Sequence, residues 1–217
     1  MDKYAYGLNN ERLKRYIVNN KNNINDIIGM YLFNIELSKE LYALIALTEV
    51  TLRNHINNAI STNIKDKWLL DVEFIETFLK DNELNRYLEL YKTLDKKQRL
   101  TEGRLIAELS LGFWVNLFDK KYKIGLWHKK NVFETIFPHF DVKISNRIGF
   151  IYPKLKDLQY IRNRISHHEP IFDHPKGLNN SYNDILLLLS WLSPEIKETA
   201  LKVCKFDYIW KEKLVNI

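Results

Sequence analysis

The sequence predicts an all-α protein, a bundle of roughly eight helices with a helical insertion between its front and back parts. Three observations carry this prediction. The 217 residues hold only seven glycines and five prolines, too few turn-formers for many strand-to-strand connections. Apolar residues recur at spacings of three and four along most of the chain, which is the period of a helix with one buried face. Strand-like alternation of apolar and polar residues is nearly absent.

Residues 10–18 form a short first helix with Leu13, Tyr16 and Ile17 on one side, and Asn22 and Asn23 offer an N-cap for the second helix. Residues 24–60 keep helical spacing through Ile27, Ile28, Tyr31, Leu32, Leu41, Leu44, Ile45, Leu52 and Ile56. That length exceeds an ordinary helix, so a break is expected near residues 36–38. Residues 72–79 and 84–94 are further helical pieces. Thr101 is the expected N-cap of a helix reaching Leu117, with Gly112 either interrupting it or permitting a close contact. Residues 127–140 are aromatic-rich and irregular, with one short helix.

Residues 144–168 form another helix, in which Leu155, Leu158, Ile161 and Ile165 make one apolar stripe. Pro153 is expected to kink it or to open its second half, and Pro170 to end it. Residues 172–180 are loop and residues 182–191 an apolar helix. Ser193-Pro194 opens a new helix, with serine as cap and proline in the first turn, and a last helix ends near Leu214. No internal repeat, low-complexity tract or flexible linker divides the chain. Residues 1–217 are therefore one domain, with a core over about residues 22–192.

Composition narrows the function classes. A hydrophobic fraction of 46% and an aromatic fraction of 13% exclude a disordered chain. The net charge of +6 is compatible with a nucleic-acid partner, although 27 acidic residues offset 33 basic ones. Cys204 is the single cysteine, so an intramolecular disulfide and a cysteine-based zinc site are excluded. The most apolar run, residues 185–192, is too short to span a bilayer. Residues 1–16 carry no apolar leader. A cytoplasmic protein without membrane contact is expected.

The chemistry-bearing segment is Tyr160-Ile161-Arg162-Asn163-Arg164-Ile165-Ser166-His167-His168-Glu169-Pro170. Asn163 and His167 are four apart and share a helix face. Arg162 and His167 are five apart and diverge by about 140° on an ideal helix. One-site chemistry then requires that the helix end there, or that the residues meet counterparts across a symmetric dimer.

Arg162-Asn163-x-x-x-His167 matches the R-N-x-x-x-H signature of HEPN domains. The stretch from Leu158 to Phe172 resembles the Abi-like (abortive-infection) family, with its arginine-asparagine pair followed by a double histidine. Residues 48–54 resemble that family's early helix, with Glu49 and Arg53 four apart. Residues 109–114 resemble its small-Gly-Trp segment. Together these segments span about residues 40–190.

The resemblance implies an all-α HEPN fold, a homodimer with two motifs facing one cleft, and metal-independent RNA cleavage by attack of the ribose 2′-hydroxyl. It implies a toxin or phage-defence effector restrained by an antitoxin, either a protein or a structured RNA. No cofactor is expected. Arg162 and His167 are the expected catalytic residues, supported by Asn163, Glu49 and Arg53. Histidine can move protons near neutral pH, and arginine offers a permanent charge to the pentavalent phosphorus. Tyr160, Arg164 and His168 are expected RNA contacts through stacking or phosphate binding.

Plainer readings stand beside these. The motif on its own is also compatible with a solvated helix end, where histidine favours the C-terminal dipole, or with a helical module that binds RNA or protein without cleaving. Glu49 and Arg53 suit a simple i,i+4 ion pair. The lysines at 120, 121, 123, 129 and 130 form either a solvated face or an RNA track. His167, His168, Glu169 and His174 invite a metal reading, but their spacing matches no helical ligand pair. No nucleophile elbow is present and Cys204 has no local partner.

Overall fold

The structure, a computed structural model, describes residues 7–17 and 23–214. The described residues form helices and connecting turns, with no strand among them. The all-α prediction therefore holds. Helix α1 (Asn10–Lys14) is capped by Asn9, whose side chain accepts from Glu11 N. The helix predicted to reach Val18 ends at Lys14, with Arg15 as C-cap and residues 15 and 16 in a turn; Val18 itself and the candidate cap Asn22 lie outside the described residues.

Helix α2 (Ile24–Asn63) is the spine of the fold. Its 40 residues span about 60 Å at the α-helical rise. The predicted cap Asn23 accepts from Asn25 N at 2.9 Å. The break expected near residues 36–38 does not occur. No proline or glycine lies there, and Leu37 is wholly buried, so packing carries the helix straight through. Its core stripe is Ile27, Met30, Asn34, Leu37, Leu41, Leu44 and Thr48, all buried and spaced by three or four.

A 3₁₀ turn, Trp68–Leu70, leads to α3 (Val72–Phe78) and α4 (Asp81–Lys96). Next come α5 (Glu102–Glu108) and α6 (Leu111–Asn116). Thr101 caps α5 by accepting from Arg104 N, as predicted. The single helix expected to reach Leu117 is instead divided at Leu109 and Ser110. Ser110 begins a new helix by accepting from Phe113 N. Gly112 serves close approach: a Cβ there would lie 2.6 Å from Gln159 Nε2.

A π-helical turn, Lys123–Trp127, precedes the short α7 (Val132–Ile136). Helix α8 (Arg147–Ser166) is capped by Asn146, which accepts from Gly149 N at 3.0 Å. It passes through Pro153 without a break. Then follow α9 (Leu178–Leu192), α10 (Pro194–Leu201) and α11 (Phe206–Leu214). Ser193 caps α10 by accepting from Ile196 N, as its sequence predicts. Helix α2 packs against α6, α7, α8, α9, α10 and α11, so it forms the wall on which α8 is set. No described helix is long and apolar enough to cross a membrane.

Candidate active site

Helix α8 carries the Arg162–His167 segment, and its buried residues Ile151, Leu155, Leu158 and Ile161 fix its rotation against the core. The helix stops before Pro170 has any say. His167 is the C-cap (φ −94°, ψ 7°), and His168 is left-handed at φ 54°. His168 N donates to Ile165 O at 3.0 Å and Glu169 N donates to Arg164 O at 2.8 Å. These two bonds are a Schellman termination, which normally places glycine where His168 stands.

This ending exposes the motif. Asn163, Ser166, His167 and His168 are all exposed. The side chains of Asn163 and His167 make no hydrogen bond or ion pair among the described residues. The Ser166 hydroxyl donates back to Arg162 O at 2.9 Å. Arg162 does not pair with His167. Its Nε lies 3.6 Å from Glu49 Oε2 on α2, with side-chain exposures of 39% and 18%.

Glu49 is thus brought to the motif, but not as the partner of Arg53. Arg53 Nη1 donates to Ala107 O on α5 at 3.2 Å. Its buried Nε has no hydrogen-bond partner among the described residues. The i,i+4 pair offered as the simple reading is replaced by an interhelical pair, because α8 supplies a nearer cation.

The predicted RNA contacts divide. His168 is exposed and free at its ring, while its carbonyl accepts from Arg12 Nη1 at 2.9 Å. Arg164 is largely engaged. It donates to Tyr160 Oη at 2.7 Å and to Asp173 Oδ1 at 3.1 Å, and its Nε lies 3.8 Å from Glu169 Oε2. Tyr160 is exposed, but its ring edge also meets His174, with centroids 5.0 Å apart. This pair braces the turn after the motif.

Two further groups hold that turn. Asn34, only 3% exposed, accepts from Ile171 N at 2.7 Å and donates to Glu169 O at 3.2 Å. It clamps the chain beyond His168 to α2. The sequence signal is an amide on the core stripe of an otherwise apolar helix, where a buried polar group must find partners.

His174 is the second group. Its Nδ1 accepts from Lys176 N at 3.1 Å, which leaves the proton on Nε2, 3.1 Å from Asp157 Oδ1. Burial pushes the His174 pKa below its usual value. Asp157 opposes that shift, while Lys176 and Arg164 add to it. Ser181 Oγ lies 3.5 Å from the same Nδ1, giving a Ser-His-Asp row. Ser181 is wholly buried, so no substrate can reach its hydroxyl and the row is structural.

No group of three or more His, Cys, Asp or Glu side chains among the described residues is placed to hold a metal ion. Cys204 lies 3.7 Å from Glu40 O. Burial raises its thiol pKa, which keeps it protonated and a poor nucleophile.

Beside the motif lies a cavity of about 620 Å³, lined by Tyr31, Ile35 and Tyr42 of α2 and by Ile165, Ser166 and His168. Leu32, Ile35, Tyr42 and Val50 are exposed. At 100° per residue they share one sector of roughly 80° on α2. The stripe runs from this cavity to the neighbourhood of Glu49.

A family model described as Abi-like protein matches residues 1–173, four-fifths of the chain and the whole of the motif. No curated protein and no solved structure matches.

Proposed function

This chain belongs to the Abi-like protein family, and from that premise we propose that it is a metal-independent endoribonuclease of the HEPN type acting in abortive infection. The observation that supports this reading is the ending of α8. It presents His167 free and exposed five residues after an arginine that is itself held in place by Glu49. A histidine kept only for packing would be buried or bonded.

In the proposed reaction a base removes the proton from the ribose 2′-oxygen. That oxygen attacks the adjacent phosphorus, the bond from phosphorus to the 5′-oxygen breaks, and an acid protonates the departing oxygen. The products are a 2′,3′-cyclic phosphate and a 5′-hydroxyl. Imidazole suits both proton transfers. Arg162 would hold the non-bridging oxygens and stabilise their charge in the transition state.

One His167 cannot serve as base and acid at the same instant. A second copy bound through the exposed stripe of α2 would supply the other imidazole. Such a stripe, apolar but for Lys39 and contiguous with the motif, is the kind of surface a homodimer covers. A toxin of this chemistry needs restraint, and an antitoxin would act by covering the same cleft.

The test is an RNA substrate with a single 2′-deoxy sugar. Placed at the cleaved nucleotide, it should abolish cleavage there and leave other sites unaffected. Cleavage through the deoxy position would rule out attack by the 2′-oxygen.

A further inference from the structure

A second cavity, of about 430 Å³, lies at the opposite end of α8. Arg147 and His167 are 20 residues apart on that helix, which places this cavity about 30 Å along the axis from the motif. Its volume falls within the range of small-ligand sites. Lys120, Lys123, His128 and Arg147 line it, and no Asp or Glu does.

Lys120, Lys123 and His128 have no acidic partner among the described residues. The neighbouring acids are otherwise directed: Asp119 caps the turn at Lys121 N and lies 3.4 Å from Tyr152 Oη, and Glu134 holds Arg147 at 2.8 Å. Two unneutralised lysines at the edge of a concavity favour an anionic ligand.

The walls are aromatic and fixed. Trp127 Nε1 donates to Leu117 O at 2.9 Å, and its ring packs on Phe118 with centroids 4.5 Å apart. One part of the indole is thereby locked while the ring stays partly exposed to the cavity. The Arg147 guanidinium sits 4.0 Å over the Phe133 ring. Trp127 closes the π-helical turn Lys123–Trp127, a rare geometry that is often retained at functional sites. A fixed, partly exposed indole beside free lysines is the combination that binds a base and its phosphate together.

We propose that this cavity is a nucleotide-binding site, with the phosphate held by Lys120 and Lys123 and the base set against Trp127. The nucleotide is either free or one unit of an RNA strand, and the chemistry of recognition is common to both. The site does not depend on cleavage at the motif.

The experiment titrates the full chain with AMP, with inorganic phosphate and with a fully 2′-O-methylated RNA oligomer, which cannot be cut through its 2′-oxygen. Binding is read by calorimetry. Wild type, Lys120→Glu/Lys123→Glu, Trp127→Ala and His167→Ala are compared, with circular dichroism as the fold check. The lysine pair is exposed, so its charge reversal tests the site even if Trp127→Ala fails to fold.

The site predicts binding weakened at least tenfold by the lysine reversal and by Trp127→Ala, with AMP binding unchanged by His167→Ala. If AMP binds and responds in this way, the ligand is a free nucleotide. If only the oligomer does, the ligand is a strand. Affinities indifferent to the lysine reversal overturn the proposal. So does inorganic phosphate binding as tightly as AMP, or a loss of AMP binding in His167→Ala.

Discussion

Glu49 Oε2 lies 3.6 Å from Arg162 Nε, joining the central helix α2 to the motif helix α8. Both side chains are partly exposed, so the pair adds about 1 kcal/mol or less to stability. In the proposed ribonuclease its role is aim, because it sets the guanidinium beside the exposed end of α8. Glu49→Ala should lower kcat by about tenfold, or ~1.4 kcal/mol of barrier, with little change in KM or Tm. On an Arg162→Ala background the same change should add nothing further. Equal effects on both backgrounds would show that the two residues act separately.

Asn34 is expected to be a stability residue of the site. Asn34→Leu keeps the branched shape but strands the part-buried Glu169 carbonyl and the buried Ile171 N–H, the latter alone costing about 1–3 kcal/mol. Urea unfolding should show a loss in that range. An unchanged midpoint would mean that the turn repairs its bonds without α2.

His168 occupies a left-handed position at φ 54°, a conformation that costs a side-chain-bearing residue about 1 kcal/mol. His168→Gly should therefore raise stability by up to that amount, seen as a higher Tm. If cleavage falls as stability rises, the His168 imidazole serves the RNA. If both rise, it does not.

His174 makes stability pH-dependent. Its folded pKa lies below the usual 6.5, mainly through burial, so the unfolded chain binds the proton first. Stability should be complete above about pH 6.5 and should decline as pH falls below it. The hydrogen-bonded carboxylates Glu83 and Glu134 act lower, because their pKa values are depressed from 4.5. Burial alone would raise Glu83, but bonds from Lys121 and Asn116 outweigh it. Urea midpoints from pH 7.5 to 5 should fall for wild type and flatten for His174→Gln. A slope unaltered in the variant would assign the effect elsewhere.

The exposed stripe on α2 should govern assembly. Tyr42→Glu and Ile35→Glu leave the core untouched, so a folded monomer is expected by sedimentation, with cleavage lost. A monomeric variant that cleaves at the wild-type rate would contradict a site shared between copies.

Much of the fold was legible because its signals are local. Thr101, Asn23 and Ser193 cap the helices their sequence context assigns to them. Two of the misplaced boundaries involve packing. The unbroken α2 depends on a buried Leu37, and the split at Ser110 depends on α6 meeting α8 at Gly112.

The site was legible as a motif but not as a constellation. Residue spacing brings Asn163 and His167 to one face, yet it gives no hint that Glu49 leaves Arg53 for Arg162. That choice is made by how α8 lies on α2. Arg164 looked free in the sequence, but the turn carrying Asp173 returns to meet it. Asn34 left a readable trace, an amide on an apolar stripe, whose partners only the fold supplies.

Cleavage of a mixed-sequence labelled RNA in EDTA by wild type, His167→Ala and Arg162→Ala tests the proposed chemistry at its centre. Wild type alone should cleave, leaving 2′,3′-cyclic phosphate ends. Equal cleavage by all three proteins, or none by a folded and dimeric wild type, would contradict a ribonuclease built on Arg162 and His167.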